Sequence, residues 1–287
     1  MPSGDWAKAE QATGRTVRLP SAPLVIDKPV YMLSHTPLTG HGGPGLFDNS
    51  KIFFEGEGCL IVCGDLNLYT GEFLRSHGST ISGVYFVGGE VILAGSISNL
   101  RINHCHFNLG TSRTTKIPIR HDPNRADGGL LGVVRNTGAH LNEVLICNNQ
   151  IEGGLRGVDL RHPYRCRVEG NEFLYQEIGV VATGARQLRV TGNTFTRGLN
   201  GDKPYGYAGV IQGEELLLDG NMMTGLKWGF WVEDQELDGV AIHLGKFDGV
   251  RSHVNLLTTA NPGATKLPDS VGGFIEGRSI LEAGSGW

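Results

Sequence analysis

The sequence predicts an all-β solenoid, a single-stranded parallel β-helix of about 22 residues per coil, and three observations carry the prediction. The segments ending Leu-Ile-Cys-Asn-Asn-Gln-Ile151, Arg-Val-Glu-Gly-Asn-Glu-Phe173, Arg-Val-Thr-Gly-Asn-Thr-Phe195 and Leu-Leu-Asp-Gly-Asn-Met-Met223 align without gaps. The anchors Ile151, Phe173 and Phe195 stand 22 residues apart, and Met223 and Phe247 follow at 28 and 24. Within each unit apolar residues alternate. Five before the anchor stand Ile81, Ile102, Ile146, Val168, Val190, Leu218 and Ile242, and seven before it Leu100, Val144, Cys166, Leu188, Leu216 and Val240, which is strand periodicity. Glycine is abundant, 44 of 287 residues, about twice ordinary usage, as a chain of many tight turns requires. A unit this short buries no face alone, so each strand must pair with its copy one coil away, ~4.8 Å along the axis.

The elements follow in chain order. Asp5, Trp6, Ala7, Ala9 and Ala12 before Gly14 read as a short N-capped helix, so residues 1–14 are assigned as a cap on the solenoid. The β-helix is expected over 15–257. Phe86 and Phe107 are anchors of early coils. The gap from Phe107 to Ile151 is twice the period, but its middle lacks the motif, so it reads as one coil with an inserted loop over about 108–129. After the anchors, Gly157-Val-Asp-Leu160, Gly179-Val-Val-Ala182, Gly209-Val-Ile-Gln212 and Gly229-Phe-Trp-Val232 repeat a second strand. A smaller insertion spans 199–207, and both insertions are expected at the same edge. Asn149, Asn171, Asn193 and Asn221 occupy one turn of successive coils, which predicts an amide ladder along the axis. Beyond Thr258 the repeat is lost, and 258–287 is a cap or tail.

Composition bounds the function. With 25 Lys+Arg against 29 Asp+Glu the net charge is -4, so no general basic field draws nucleic acid or an anionic membrane. No apolar stretch approaches a membrane span, and no secretory signal peptide is expected. The five cysteines, an odd number in a long chain, predict free thiols, with Cys59 and Cys63 read as small core residues.

With its Asn-x-Phe units, and with Val17-Arg-Leu-Pro20, Leu24-Val-Ile-Asp-Lys-Pro-Val30 and Leu38-Thr-Gly40 resembling a first coil, the chain resembles the right-handed parallel β-helix, pectate-lyase-like superfamily over about 15–255. Phage tailspikes and head spikes are closest in style. The resemblance implies a polysaccharide partner, a homotrimer or docking to other virion proteins, and a virion or extracellular location after synthesis in the cytoplasm. Polysaccharide binding, with or without depolymerisation, is the function it implies. A free-standing lyase, hydrolase or epimerase and a purely structural spike are the alternatives.

Candidate chemistry concentrates on Arg156, Asp159, Arg161, His162, Arg165 and Arg167, one coil beyond the large insertion with Arg120, His121, Asp122 and Arg125. A carboxylate and a histidine among arginines are the groups that neutralise a uronate and remove its neighbouring proton, so Asp159, His162, Arg161, His121 and Asp122 are the catalytic candidates. Arg120, Arg125, Arg156, Arg165, Tyr205, Tyr207 and Trp231 are the substrate-binding candidates, the aromatics as a stacking platform for sugar rings. A surface salt-bridge network is the competing reading of the charged cluster. No cofactor or metal is expected, although Asp122, Asn124 and Asp127 before Gly128 resemble calcium-loop ligands out of EF-hand spacing. Two outward columns are predicted: Arg101, Arg167 and Arg189 with Leu145 and Leu217 on the first strand, suited to an anionic polymer, and Val134, Asp159, Val181, Ile211 and Trp231 on the second.

Overall fold

A computed structural model describes residues 16–33, 36–41, 50–63, 79–110, 114–122, 141–197, 206–226, 228–234, 241–248, 252–258 and 275–276. These residues form a parallel β-helix in which every strand pairing is parallel and joins one coil to the next. Each full coil contains three main strands and a short fourth bridge. The first strands stack as Thr80–Ser82, Arg101–Asn103, Leu145–Cys147, Arg167–Glu169, Arg189–Thr191 and the start of Leu217–Thr224. The second strands, which carry the anchors, stack as Val84–Val87, His106–Asn108, Gln150–Glu152, Glu172–Leu174 and Thr194–Thr196. The third stack as Val91–Ala94, Ile119–Asp122, Arg156–Arg161, Ile178–Arg186, Tyr207–Glu214 and Trp228–Asp234. The strand repeated after each anchor is therefore the third of its coil, because the anchors form a strand of their own.

Arg101 pairs directly with Leu145, so the double-length gap is one coil. Its excess residues lie on both sides of a strand, Ile119–Asp122, that the sequence reading placed inside the loop. The connections at 109–118 and 197–206 both run from second to third strand, so that part of the large insertion shares an edge with the smaller one, while its remainder follows the third strand. The proposed N-terminal helix lies outside the described residues, and no helix occurs among those described. Ile275–Glu276 pairs with Ile242 and His243, so part of the tail continues the first-strand stack.

The core is a stack of like residues. Phe54, Phe86 and Phe107 lie ring over ring at 6.0 and 4.9 Å, and Phe173 over Phe195 at 4.7 Å. Glycine on the third strand makes room for these rings. A Cβ at Gly179 would stand 2.5 Å from the Phe195 ring, and one at Gly157 2.7 Å from Phe173, so large and small residues are matched across the coil.

The asparagine ladder closes the turn between first and second strands. Asn149 donates through its backbone N–H (3.0 Å) and its Nδ2 (2.9 Å) to Oδ1 of Asn171. Asn171 does the same to Asn193, and Asn193 to Asn221. The second proton of each Nδ2 goes to a backbone carbonyl, that of Ile146 for Asn171. Cys105 holds the equivalent place one coil earlier, its N–H donating to Asn149 Oδ1, and burial pushes its thiol up to about 12.

Asn171→Ala would strand the donors of Asn149 and the carbonyl of Ile146 in a buried turn. It is expected to lower the unfolding free energy by roughly 3 kcal/mol, read from denaturant midpoints.

Candidate functional site

Two surfaces bear on function, the outward face of the third strands and the corner leading into the first strands. On the third strands Asp159 stands between two guanidinium groups. Arg156 Nη1 donates to its Oδ2, and Arg161 Nε lies 3.4 Å from its Oδ1. Arg120 is in register with Asp159 on the preceding coil, where it pairs with Glu90 at 3.5 Å and Asp122 at 3.8 Å. The sequence thus brings Arg120, Asp122, Arg156, Asp159 and Arg161 together. The Asp159 side chain is only 5% exposed, so the carboxylate is held inside an ion-pair network.

His121 takes an inward position, in register with Leu93. Its Nδ1 faces the Arg161 carbonyl at 2.8 Å and its Nε2 the Gly95 carbonyl at 2.7 Å. Burial lowers its pKa below the usual histidine value, against the two carbonyls, which favour the charged ring. The side chain belongs to the wall of the solenoid and is 3% exposed. His162 is exposed at the end of the strand with a positive φ of 48°, its ring over Gly184 of the next coil.

The outward apolar column differs in two members from the sequence reading. Trp231 pairs with Val210, and Val210 with Val181, whereas Ile211 is buried in the core. The residue beside Asp159 on the preceding coil is Arg120; Val134 lies outside the described residues, as do Arg125 and Tyr205. The calcium-like loop lies outside them beyond Asp122. Tyr207 is in register with Trp228 and so about 10 Å along the strand from the level of Trp231, which separates the two proposed aromatic contacts. Among the described residues no group of three acidic, histidine or cysteine side chains is placed to hold a metal.

The second surface is a groove of about 910 Å³ along the corner between third and first strands. Its floor is the register column Arg101, Leu145, Arg167, Arg189 and Leu217, as the alternation predicted. Its rim is a second column two residues earlier, Asn99, Glu143, Arg165, Gln187 and Glu215. Of the rim, sequence reasoning singled out only Arg165. The missed signal was a polar residue eight places before the anchor in five successive coils, from Phe107 to Met223, ahead of a buried one.

All five rim residues have left-handed backbone, φ between 52° and 56°. At the neighbouring corner the same conformation is held by His104, Asn148, Gly170, Gly192 and Gly220 in successive coils, so glycine takes it in three of these five. For a residue other than glycine it costs roughly 1–2 kcal/mol. The rim side chains do interact, Arg165 Nε donating to Gln187 Oε1 at 3.0 Å and its Nη1 lying 3.7 Å from Glu143. Pairs so exposed contribute at most about 1 kcal/mol. On the floor Arg167 lies 3.7 Å from Glu169, while Arg189, with Thr191 in the place of that glutamate, has no carboxylate partner among the described residues.

No protein-family model matches the chain, and no curated protein matches it. Among solved structures, the Streptococcus pneumoniae surface protein and adhesin PfbA is similar at 14% identity over 87% of this chain and 94% of its own, with a TM-score of 0.47. Tailspike protein 3 of bacteriophage CBA120 is similar at 14% identity over 89% of this chain and 56% of its own, with a TM-score of 0.36. Endopolygalacturonase I from Stereum purpureum is similar at 12% identity over 85% of this chain and 93% of its own, with a TM-score of 0.22. The assignment of this chain to the parallel β-helix fold stands on its own strand register.

Two outcomes follow. Asp159→Asn removes the anion between Arg156 and Arg161 and is expected to destabilise the fold by roughly 3 kcal/mol in denaturant titrations. His121 is harder to protonate folded than unfolded, so the unfolded chain binds more protons as pH falls. Its contribution is present above the unfolded value of about 6.5 and is lost below it. The stability difference between wild type and His121→Gln is expected to shrink from pH 7.5 to pH 5.

Proposed function

We propose that the protein is a carbohydrate-binding β-helix that holds an anionic glycan along the arginine-lined corner groove. One observation carries the reading: Arg101, Arg167 and Arg189 stand in one register column on the floor of a groove that crosses five coils. A guanidinium matches a carboxylate with two parallel donors, and a column repeated at coil spacing suits a polymer better than a small molecule. Leu145 and Leu217 between and beyond the arginines offer apolar contact to sugar ring faces.

Binding rather than bond cleavage is the activity proposed. Asp159 is enclosed by Arg156 and Arg161, and His121 is turned into the wall, so neither meets the basic requirement of a general base within reach of a substrate proton. In this reading Arg156, Arg161 and Arg120 brace the third-strand face, and Arg165 lies at the ligand. Presentation on a trimeric, virion-borne spike is the wider setting proposed for such a module.

The experiment is titration of the protein with polygalacturonate and with neutral dextran across ionic strength. The uronate polymer is expected to bind, more weakly as salt rises, and dextran is not. Arg167→Gln with Arg189→Gln is expected to weaken binding at least tenfold, about 1.4 kcal/mol. Unchanged affinity in that folded variant, or a fall in polymer viscosity that shows cleavage, would overturn the reading.

A further inference from the structure

Floor and rim vary together along the groove. Where the floor residue is arginine, the rim residue of that coil is Asn99, Arg165 or Gln187, none of them acidic. Where the floor residue is leucine, at Leu145 and Leu217, the rim residue is a glutamate, Glu143 or Glu215. The groove therefore consists of two kinds of level stacked at coil spacing, ~4.8 Å apart. That spacing is close to the length one pyranose ring adds to an extended glycan chain.

We infer that the groove reads its ligand level by level, so that the glycan it takes is an acidic heteropolysaccharide in which neutral sugars interrupt the acidic ones. The inference rests on the function proposed above and specifies its substrate class. At an arginine level a sugar carboxylate meets a guanidinium with no acid on the rim, Arg167 having Glu169 only on the side away from the rim in sequence. At a leucine level the apolar face of a neutral ring lies on the leucine, and the glutamate accepts hydrogen bonds from its hydroxyls. A uronate at that level would place its carboxylate against Glu143 or Glu215, a like-charge contact that selects against it. The two leucine levels are three coils apart with two arginine levels between them, so an uninterrupted polyuronate spanning the groove meets both glutamates.

Glu143 and Glu215 hold left-handed backbone, with φ of 54° and 53°. Glu215 also has no ion-pair partner among the described residues that would give it a structural role.

The test compares galacturonate oligomers of one length, unesterified and with about one carboxylate in three methyl-esterified, titrated into the full chain. A plain cationic surface binds the less charged oligomer more weakly. Here partial esterification is expected to strengthen binding at least threefold, and Glu143→Gln with Glu215→Gln to reverse that preference by strengthening the unesterified oligomer. Weaker binding of the esterified oligomer to wild type, or an unchanged preference in the folded double variant, would overturn the inference. Should that variant not fold, Leu145→Ala with Leu217→Ala serves, expected to erase the gain from esterification; persistence of the gain would count against the inference. If neither oligomer binds wild type, or binding survives Arg167→Gln with Arg189→Gln, the proposed function itself fails. If both bind through the arginines without discrimination, only the level-by-level reading fails.

Discussion

The in-register stacking of coils is the constraint on which the rest of this structure depends, and the asparagine ladder is where it is fixed. The buried amides of Asn149, Asn171 and Asn193 each donate to the copy one coil away and to a backbone carbonyl, so a slip by one residue would leave a row of donors unpaired and turn every inward side chain outward. The same register aligns the phenylalanine rings, matches them with glycines on the third strand and brings the arginines of distant sequence segments into one column. Function on such a scaffold comes from columns, because any position of the repeat is displayed once per coil.

The two left-handed corners show how the scaffold separates stability from display. Both take positive φ in the five described coils that line the groove. The corner beside the ladder relieves the demand with glycine at Gly170, Gly192 and Gly220 and keeps His104 and Asn148 in the two coils before them. The corner beside the groove keeps Asn99, Glu143, Arg165, Gln187 and Glu215. The turn is the same and the chemistry differs, since the groove corner carries a polar side chain in all five of these coils. The third-strand face shows the reverse arrangement, charges that engage one another around Asp159 and Arg120.

Much of the fold was legible in the sequence. The 22-residue repeat, the alternation at five and seven places before the anchor and the asparagine at two places before it gave the coils, the first-strand register and the ladder. The second strand was hidden inside the anchor motif, since three residues such as Gln150–Glu152 are too short to show a period. The strand at Ile119–Asp122 was hidden by the long connections on either side. At the site, composition drew attention to Asp159 and His121. Alternation places Asp159 outward, but its burial under neighbouring arginines depends on contacts that spacing does not reveal. The inward turn of His121 follows from the register of that same unrecognised strand. The arginine column was readable because alternation and period suffice for it. The rim was not, because left-handed backbone leaves no mark on a residue other than glycine or asparagine.

Hydroxyl-radical footprinting with and without a bound uronate polymer tests the central claim most directly, because it reports side-chain cover residue by residue. Protection of Leu145 and Leu217, with Tyr207 and Trp231 unchanged, is the result this account predicts. Protection of Tyr207 and Trp231 with Leu145 and Leu217 still reactive would contradict it and move the ligand to the third-strand face.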